Sequence, residues 1–351
     1  MKHPADQERA RARALLRFLR KHRKKISPLL ILTHDFPDPD AIASAFGLKF
    51  LAATSGISAR IAYGGMIGRM NNRAMVDVLK IKMHKLKPID LRKYSNVALV
   101  DTQPEFGNNP FPSREKATLI VDQHSSIRKP SADFVMIDTE CGATSVLIAQ
   151  ALLGMRKRIP KDVATAIAYG IITDTLDLYR AKKKSTIDAY LKILSFSDIR
   201  DLARIQNPVN QRRFYVTLQK GMQVARSGRG LIVSHLGFVK SPELVSQVAD
   251  FLLACQDFRW SFVTGRYGKK LYISLRSKKS KLDAGGVLRD MVLDPKDAGG
   301  HGSVAGGSVR VSGRRTDKAW QRIESMMMTA LKKRLRIPVG KEFRPSFAER
   351  K

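Results

Sequence analysis

Ile31-Leu-Thr-His-Asp-Phe-Pro-Asp-Pro-Asp-Ala-Ile-Ala-Ser-Ala-Phe-Gly47 is the stretch from which the rest of the chain can be read. The apolar run at residues 29–33 predicts a buried strand, and Pro37 and Pro39 forbid its continuation. Residues 40–51 then show the small and apolar spacing of a packed helix. His34, Asp38 and Asp40 therefore fall in a strand-to-helix loop at the carboxyl end of a strand, where open α/β sheets place their ligands. An imidazole with two carboxylates and no nearby thiol suits Mn²⁺ or a similar divalent cation and argues against structural zinc. The alternative is a solvated acidic loop in which Asp40 caps the helix.

With 351 residues the chain has room for two domains, and its 43% hydrophobic content is that of a globular protein. The 64 Lys and Arg against 31 Asp and Glu leave a formal charge of +33, which points to polyanionic ligands or to a generally basic surface. Two cysteines far apart, Cys141 and Cys255, exclude a disulfide framework and a cysteine-based zinc site. No window approaches eighteen apolar residues, so the expectation is a cytoplasmic protein without a membrane partner.

Working outward, residues 6–25 read as a basic helix with an apolar stripe that docks on the body, its outer face solvated or touching phosphates. Strands at 29–33, 58–63, 97–100 and 118–121 alternate with helices at 40–55, 70–79, 141–153 and 161–172, which predicts a parallel sheet covered on both faces. His34, Asp38, Asp40, Asp101, Asp122 and His124 all follow predicted strands, so one sheet edge collects them. A polar break at Asn207-Pro208 marks the boundary. Beyond it a helix, a strand, a second helix, a hairpin around Tyr267-Gly268 and a final helix at 317–333 predict a smaller mixed α+β domain. The Gly-rich run at 297–307 reads as a tight turn with a helix after His301, a geometry in which exposed backbone N–H groups bind anions.

Four segments, His34-x-x-Pro-Asp38-x-Asp40, Val100-Asp101-Thr102, Val121-Asp122-Gln123-His124 and Thr173-Asp174-Thr175, resemble in order and spacing the DHH phosphoesterases. Ile273-Ser-Leu-Arg276-Ser and Gly299-Gly300-His301 resemble the DHHA1 domain of the subgroup that contains oligoribonucleases and pAp phosphatases. The resemblance implies an α/β fold: a parallel-sheet DHH domain, a smaller mixed α+β DHHA1 domain, and an active-site cleft between them. The expected division is a basic helix at 1–28, the DHH domain at 29–195, a linker at 196–215, the DHHA1 domain at 216–337 and a basic tail at 338–351.

Carried over by position, one metal is held by His34, Asp38 and Asp101 and a second by Asp40, Asp101 and Asp174, with Asp101 bridging. The family's Asp-His-His is here Asp122-Gln123-His124. Gln123 would serve the second ion through an amide oxygen, a poorer donor than imidazole. Asp101 and His124 are the expected catalytic pair, with His124 facing the phosphate and Asp122 supporting from behind. Arg276, Gly299, Gly300 and His301 are the expected substrate contacts. The implied cofactor is Mn²⁺, two ions, with Mg²⁺ as the alternative. The implied substrates are short RNA or DNA, linear dinucleotides or pAp, hydrolysed by two-metal water activation, with longer nucleic acid as a further partner through the basic surface. The competing expectation is a nucleic-acid or nucleotide binder that has lost the second metal site. Quaternary state is left open.

Overall fold

The computed structural model describes residues 4–65, 67, 70–86, 91, 93–278, 282–292, 294, 297–301, 303–311, 316–338 and 342–347. They fall into two units, Met1–Pro208 and Val209–Lys351. In the first, the short runs Leu29–Leu32 (β1) and Val97–Val100 (β4) are buried along their whole length, as parallel strands covered on both faces must be. With Ala59–Tyr63 (β2), Met83–Lys85 (β3), Ala117–Asp122 (β5) and Ala132–Ile137 (β6) they form a parallel sheet of order β3-β2-β1-β4-β5-β6. Alternation sends Leu29 and Ile31 into one core and Leu30 and Leu32 into another on the opposite face. The edge strands β3 and β6 escape the sequence reading because their half-exposed residues carry no continuous apolar run.

The first core is built by helices. Pro4–His22 (α1) buries Leu15, Leu16 and Leu19 in it, and Phe18 packs on Phe134 of β6 with ring centroids 5.1 Å apart. Pro39–Thr54 (α2), Thr144–Leu153 (α4) and Lys161–Asp174 (α5) complete it, while Met70–Val78 (α3) lends Met75. Two glycines set how closely α2 approaches its neighbours. A Cβ on Gly47 would lie 2.5 Å from Ile148 Cγ2, and one on Gly170 would lie 2.7 Å from Ala43 Cβ. This approach brings the start of α2 and the end of α5 to the same place, which matters for Asp40 and Asp174.

Lys184–Leu194 (α6) and Ile199–Gln206 (α7) finish the first unit. The segment expected as a linker, 196–215, is therefore mostly helix. Asp198 caps α7, and Leu202 and Ile205 are buried in the first core. The division between the two units falls after Pro208.

The second unit opens with Arg212–Gln223 (α8) and holds a mixed sheet of order β11-β12-β10-β9-β8-β7-β13. Its strands are Arg226–Gly228 (β7), Leu231–Phe238 (β8), Trp260–Tyr267 (β9), Lys270–Ser277 (β10), Ala298–His301 (β11), Val304–Arg310 (β12) and Arg344–Pro345 (β13). β8 and β9 run parallel, and the other pairs are antiparallel. Glu243–Leu253 (α9) covers one face with α8, and Asp317–Arg334 (α11), around the buried Trp320, covers the other. The expected hairpin at Tyr267-Gly268 is β9–β10. Part of the expected tail is not free, since Arg344 pairs with Ser227.

The Gly-rich run departs from its reading. Gly299 and Gly300 lie in strand β11, paired with Gly306 and Ala305, and strand β12 follows where a helix was expected. A Cβ on Gly300, where φ is +138°, would meet Val304 O at 2.3 Å. One on Gly285, in Ala284–Arg289 (α10), would meet Gly300 O at 1.9 Å. The missing side chains admit the protein's own backbone.

Candidate metal centre

The strand order reverses direction between β1 and β4, which are hydrogen-bonded neighbours with Leu32 opposite Leu99. That switch point is where an open parallel sheet leaves a crevice at its carboxyl edge. His34 follows β1 by two residues and Asp101 follows β4 directly. Asp101 turns in the left-handed region, φ +58°, a conformation that a short polar side chain tolerates better than most and that recurs at functional sites. Its N–H donates to Val121 O at 3.0 Å, which holds the turn against β5.

His34 and Asp101 are both buried, and His34 Nε2 lies 3.5 Å from Asp101 Oδ2 and 3.9 Å from Asp38 Oδ1. The other ring nitrogen, Nδ1, sits 2.8 Å from Asp35 O, and as the donor there it leaves Nε2 to face the two carboxylates. The loop is fixed from outside. Asp35 N–H donates to Asn108 O, Phe36 N–H donates to Gly64 O, and a Cβ on Gly64 would overlap the Asp35 carboxylate. Asp38, not Asp40, caps α2, with Oδ1 accepting from Ala41 N–H at 3.0 Å.

Asp40 is buried just inside α2, and both its oxygens accept backbone N–H groups from the start of α4: Thr144 at 2.7 Å and Ser145 at 2.8 Å. Thr144 Oγ1 also donates to Asp101 Oδ1 at 2.7 Å. The amino end of α4 thus gives its N–H groups to Asp40 and the Thr144 hydroxyl to Asp101, and its positive dipole end favours both carboxylates. Asp174 closes α5 beside them. Gln123 Nε2 donates to Asp174 Oδ2 and lies 3.5 Å from Asp40 Oδ2. As placed, Gln123 offers hydrogens rather than the amide oxygen expected of a ligand. The reason is physical, since two like-charged carboxylates brought together draw a donor between them.

On the far side of Asp101, Asp122 is fully buried at the end of β5. It accepts from Gln103 Nε2 at 2.7 Å and lies 2.8 Å from His124 Nδ1. His124 is exposed at the rim, 3.7 Å from Asp101, with the Phe106 ring edge-on at 6.1 Å. Among the described residues two groups able to hold a cation result, His34–Asp38–Asp101 and Asp101–Asp122–His124, the donor atoms of each lying within 4.8 Å of one another. Asp101 belongs to both, whereas Asp40 and Asp174, expected to share the second ion with it, belong to neither. Asp122, expected only as a support, both holds His124 and belongs to the second group.

The electrostatics match the geometry. Burial, then repulsion from Asp101, Asp174 and Asp38, pushes Asp40 well above the usual carboxylate range. Burial likewise raises Asp101, and burial with repulsion from Asp38 and Asp101 lifts Asp174 to about 7. For His34, burial favours the neutral ring, but Asp101 and Asp38 outweigh it and raise the imidazole well above its ordinary value. The hydrogen bond to Asp122 raises His124 to about 9. Acids that raise one another beside imidazoles form a donor set suited to a hard or borderline divalent cation.

Sequence reasoning missed Gln103, Thr144 and Ser145, which orient Asp122 and Asp40. The sequence signal for the last two was weak, a Ser/Thr pair at a helix start, and nothing local paired them with a residue a hundred positions away. In the second unit, Arg276 is buried. Its Nε donates to Asp250 Oδ1 at 2.6 Å, and its Nη1 donates to the carbonyls of Leu275 and Ala305. The expectation of a phosphate contact there is corrected, because these donors are engaged within the fold. Gly299 and Gly300 are strand residues, and the His301 side chain lies outside the described residues.

Residues 28–171 match the DHH family, N-terminal domain. The uncharacterized protein MJ1633 of Methanocaldococcus jannaschii is 33% identical over 288 residues, 82% of this chain and 59% of that protein. The cyclic-di-AMP phosphodiesterase GdpP of Bacillus subtilis is 24% identical over 344 residues, 90% of this chain and 50% of that protein. This chain therefore spans only half to three-fifths of these relatives' length. Among solved structures, an exopolyphosphatase-related protein from Bacteroides fragilis has the same fold, with a TM-score of 0.64 at 17% identity, over 92% of this chain and 97% of that one. Over residues 28–171 this chain is therefore similar to the DHH family's N-terminal domain.

Proposed function

We propose that this chain is a divalent-metal-dependent phosphoesterase that hydrolyses short oligonucleotides, linear dinucleotides or pAp. The observation that carries the reading is the convergence of His34, Asp38 and Asp101, with Asp40 and Asp174 close enough to repel Asp101 and the carboxyl pKa values of Asp40, Asp101 and Asp174 all raised. His34, Asp38 and Asp101 would hold one cation and Asp101 would share it with a second site beside Asp122 and His124. Mn²⁺ suits the mixed nitrogen and oxygen donors, with Mg²⁺ as the alternative. When bound, such a cation supplies an activated water and neutralises charge on the phosphoryl group.

The chain's own residues do the rest. Asp35 O fixes the His34 tautomer, and the α4 N–H groups hold Asp40 still. His124, protonated at neutral pH with its Nδ1 on Asp122, has Nε2–H left to donate to a phosphoryl oxygen. The recognition role expected of the second unit stays in the proposal through His301. Arg276 serves by tying β10 to β12 and α9.

GdpP is by name a phosphodiesterase of a nucleotide, which supports a nucleotide phosphodiester substrate here. One observation favours the second reading, a binder with weakened turnover: Gln123 places an amide between Asp40 and Asp174. The test is purified protein with Mn²⁺ against 5′-labelled oligoribonucleotides of increasing length, plus pAp. Hydrolysis confined to the shortest members supports the enzyme. No hydrolysis at any Mn²⁺ concentration leaves the binder.

A further inference from the structure

The outer face of α1 plays no part in the metal centre. Arg9, Arg13, Arg17 and Arg20 are all exposed there, and their spacing puts them on one helix face over about 16 Å. Among the described residues none of the four has an ion-pair or hydrogen-bond partner. Like charges at i, i+4 disfavour a helix, so the stripe is unrelieved within the chain. The inner face is fully used. Leu15, Leu16 and Leu19 are buried, Glu8 accepts from Ser185 and Gln150, and Arg11 pairs with Asp138 at 2.7 Å.

The helix has a defined course along the sheet. Its Arg11 end is tied to Asp138, whose N–H donates to Asp122 O at the edge that carries the metal centre. Just past its other end, Lys25 O accepts from Asn96, at the amino edge ahead of β4. A second basic element adjoins the helix. Arg156, Lys157 and Arg158 are exposed after α4, next to Gly154, where a Cβ would touch Leu16 of α1.

We infer that the Arg9–Arg13–Arg17–Arg20 face, with the turn at residues 156–158, is a docking surface for a nucleic-acid strand, separate from the metal centre and leading away from it. Charge complementarity selects the occupant. Guanidinium groups bind phosphodiester oxygens bidentately, and a row of them follows a backbone without reading bases. An anionic bilayer is disfavoured because, among the described residues, the only exposed apolar ones along α1 are Ala10 and Ala14, which make no apolar face to insert.

The test is fluorescence anisotropy of 5′-fluorescein oligothymidylates of roughly 5, 15 and 30 nucleotides, a range chosen to bracket several phosphate contacts. It is run in EDTA over a salt series, on wild type and on the quadruple variant Arg9→Ala, Arg13→Ala, Arg17→Ala, Arg20→Ala. Wild type should bind more tightly as length grows. The quadruple variant should lose about three from the slope of log affinity against log salt, at about 0.7 per lost contact on a single strand. The matching Arg→Lys quadruple variant should keep most of that slope, and hydrolysis of a dinucleotide with Mn²⁺ should be unchanged in both. An unchanged slope in a folded alanine variant overturns the inference, as does binding of phosphatidylserine vesicles but not of the longest strand. A wild type that binds the long strand but cleaves nothing defeats the phosphoesterase reading alone.

Discussion

The carboxyl edge of the first sheet and the Gly-rich edge of the second both gather the residues that a sequence reader picks out, but they are built on opposite principles. Around Arg276 the polar groups are paired with one another: guanidinium with Asp250 and with two carbonyls, glycine backbone with strand backbone. Around Asp101 the carboxylates face one another, and their pKa values rise. A cluster whose members satisfy each other is architecture. A cluster whose members repel requires something from outside, and that is the stronger sign of a binding site.

The sharpest way to break this contrast is Asp101→Ala. It removes the carboxylate shared by both cation groups, so hydrolysis should fall to background in the Mn²⁺ assay. Asp122→Ala, which frees His124 and leaves Gln103 without its acceptor, should cost about 10- to 100-fold, the usual effect of losing a group that orients a ligand. Equal and mild losses for both, with folding intact, would count against Asp101 as the bridge.

Gln123→His comes next, with a several-fold effect. It exchanges the amide between Asp40 and Asp174 for an imidazole, a better Mn²⁺ donor, so the metal concentration for half-maximal activity should drop. A rise instead would show that the neighbouring carboxylates have been rebuilt around the amide.

The crowded acids also predict a pH signature. An acid whose folded pKa is raised holds its proton in the folded state where the unfolded chain has already lost it. Metal-free stability therefore falls as pH rises from the ordinary carboxyl range through about 7, the value for Asp174. His34, raised in the folded state, also contributes stability that is lost as pH rises through its folded pKa, so the two trends add. Cations compete with those protons. Thermal unfolding should show a larger Mn²⁺-induced rise in midpoint at pH 8 than at pH 6, and a pH-independent rise would contradict the assignment.

The smallest effect on catalysis should come from Arg276→Ala. It should lower stability by about 1–3 kcal/mol, because buried carbonyls lose their donor, and leave the dinucleotide KM within twofold. His301→Ala should instead raise that KM by about tenfold, the scale of one lost charge-assisted contact. If Arg276→Ala raised KM with stability unchanged, the paired cluster would be a site after all.

The sequence by itself determined the central strands, the loop after β1 and the set of acids at one edge. These follow from local rules: an apolar run too short for anything but a covered strand, prolines that end it, and carboxylates that no buried strand can hold. It could not show that Asp38 rather than Asp40 caps α2, that α4 presents Thr144 and Ser145 to Asp40, or that Gln103 lies behind Asp122. The second joins residues a hundred positions apart, which only the packing of α2 against α4 brings together, and the third depends on the pairing of β4 with β5. The same limit explains the misread glycines. Absence of a Cβ signals that something approaches closely, but the sequence cannot say whether it is a phosphate or, as at Gly285 and Gly300, the protein's own carbonyl. Only the fold decides which atom fills the space a side chain would have taken.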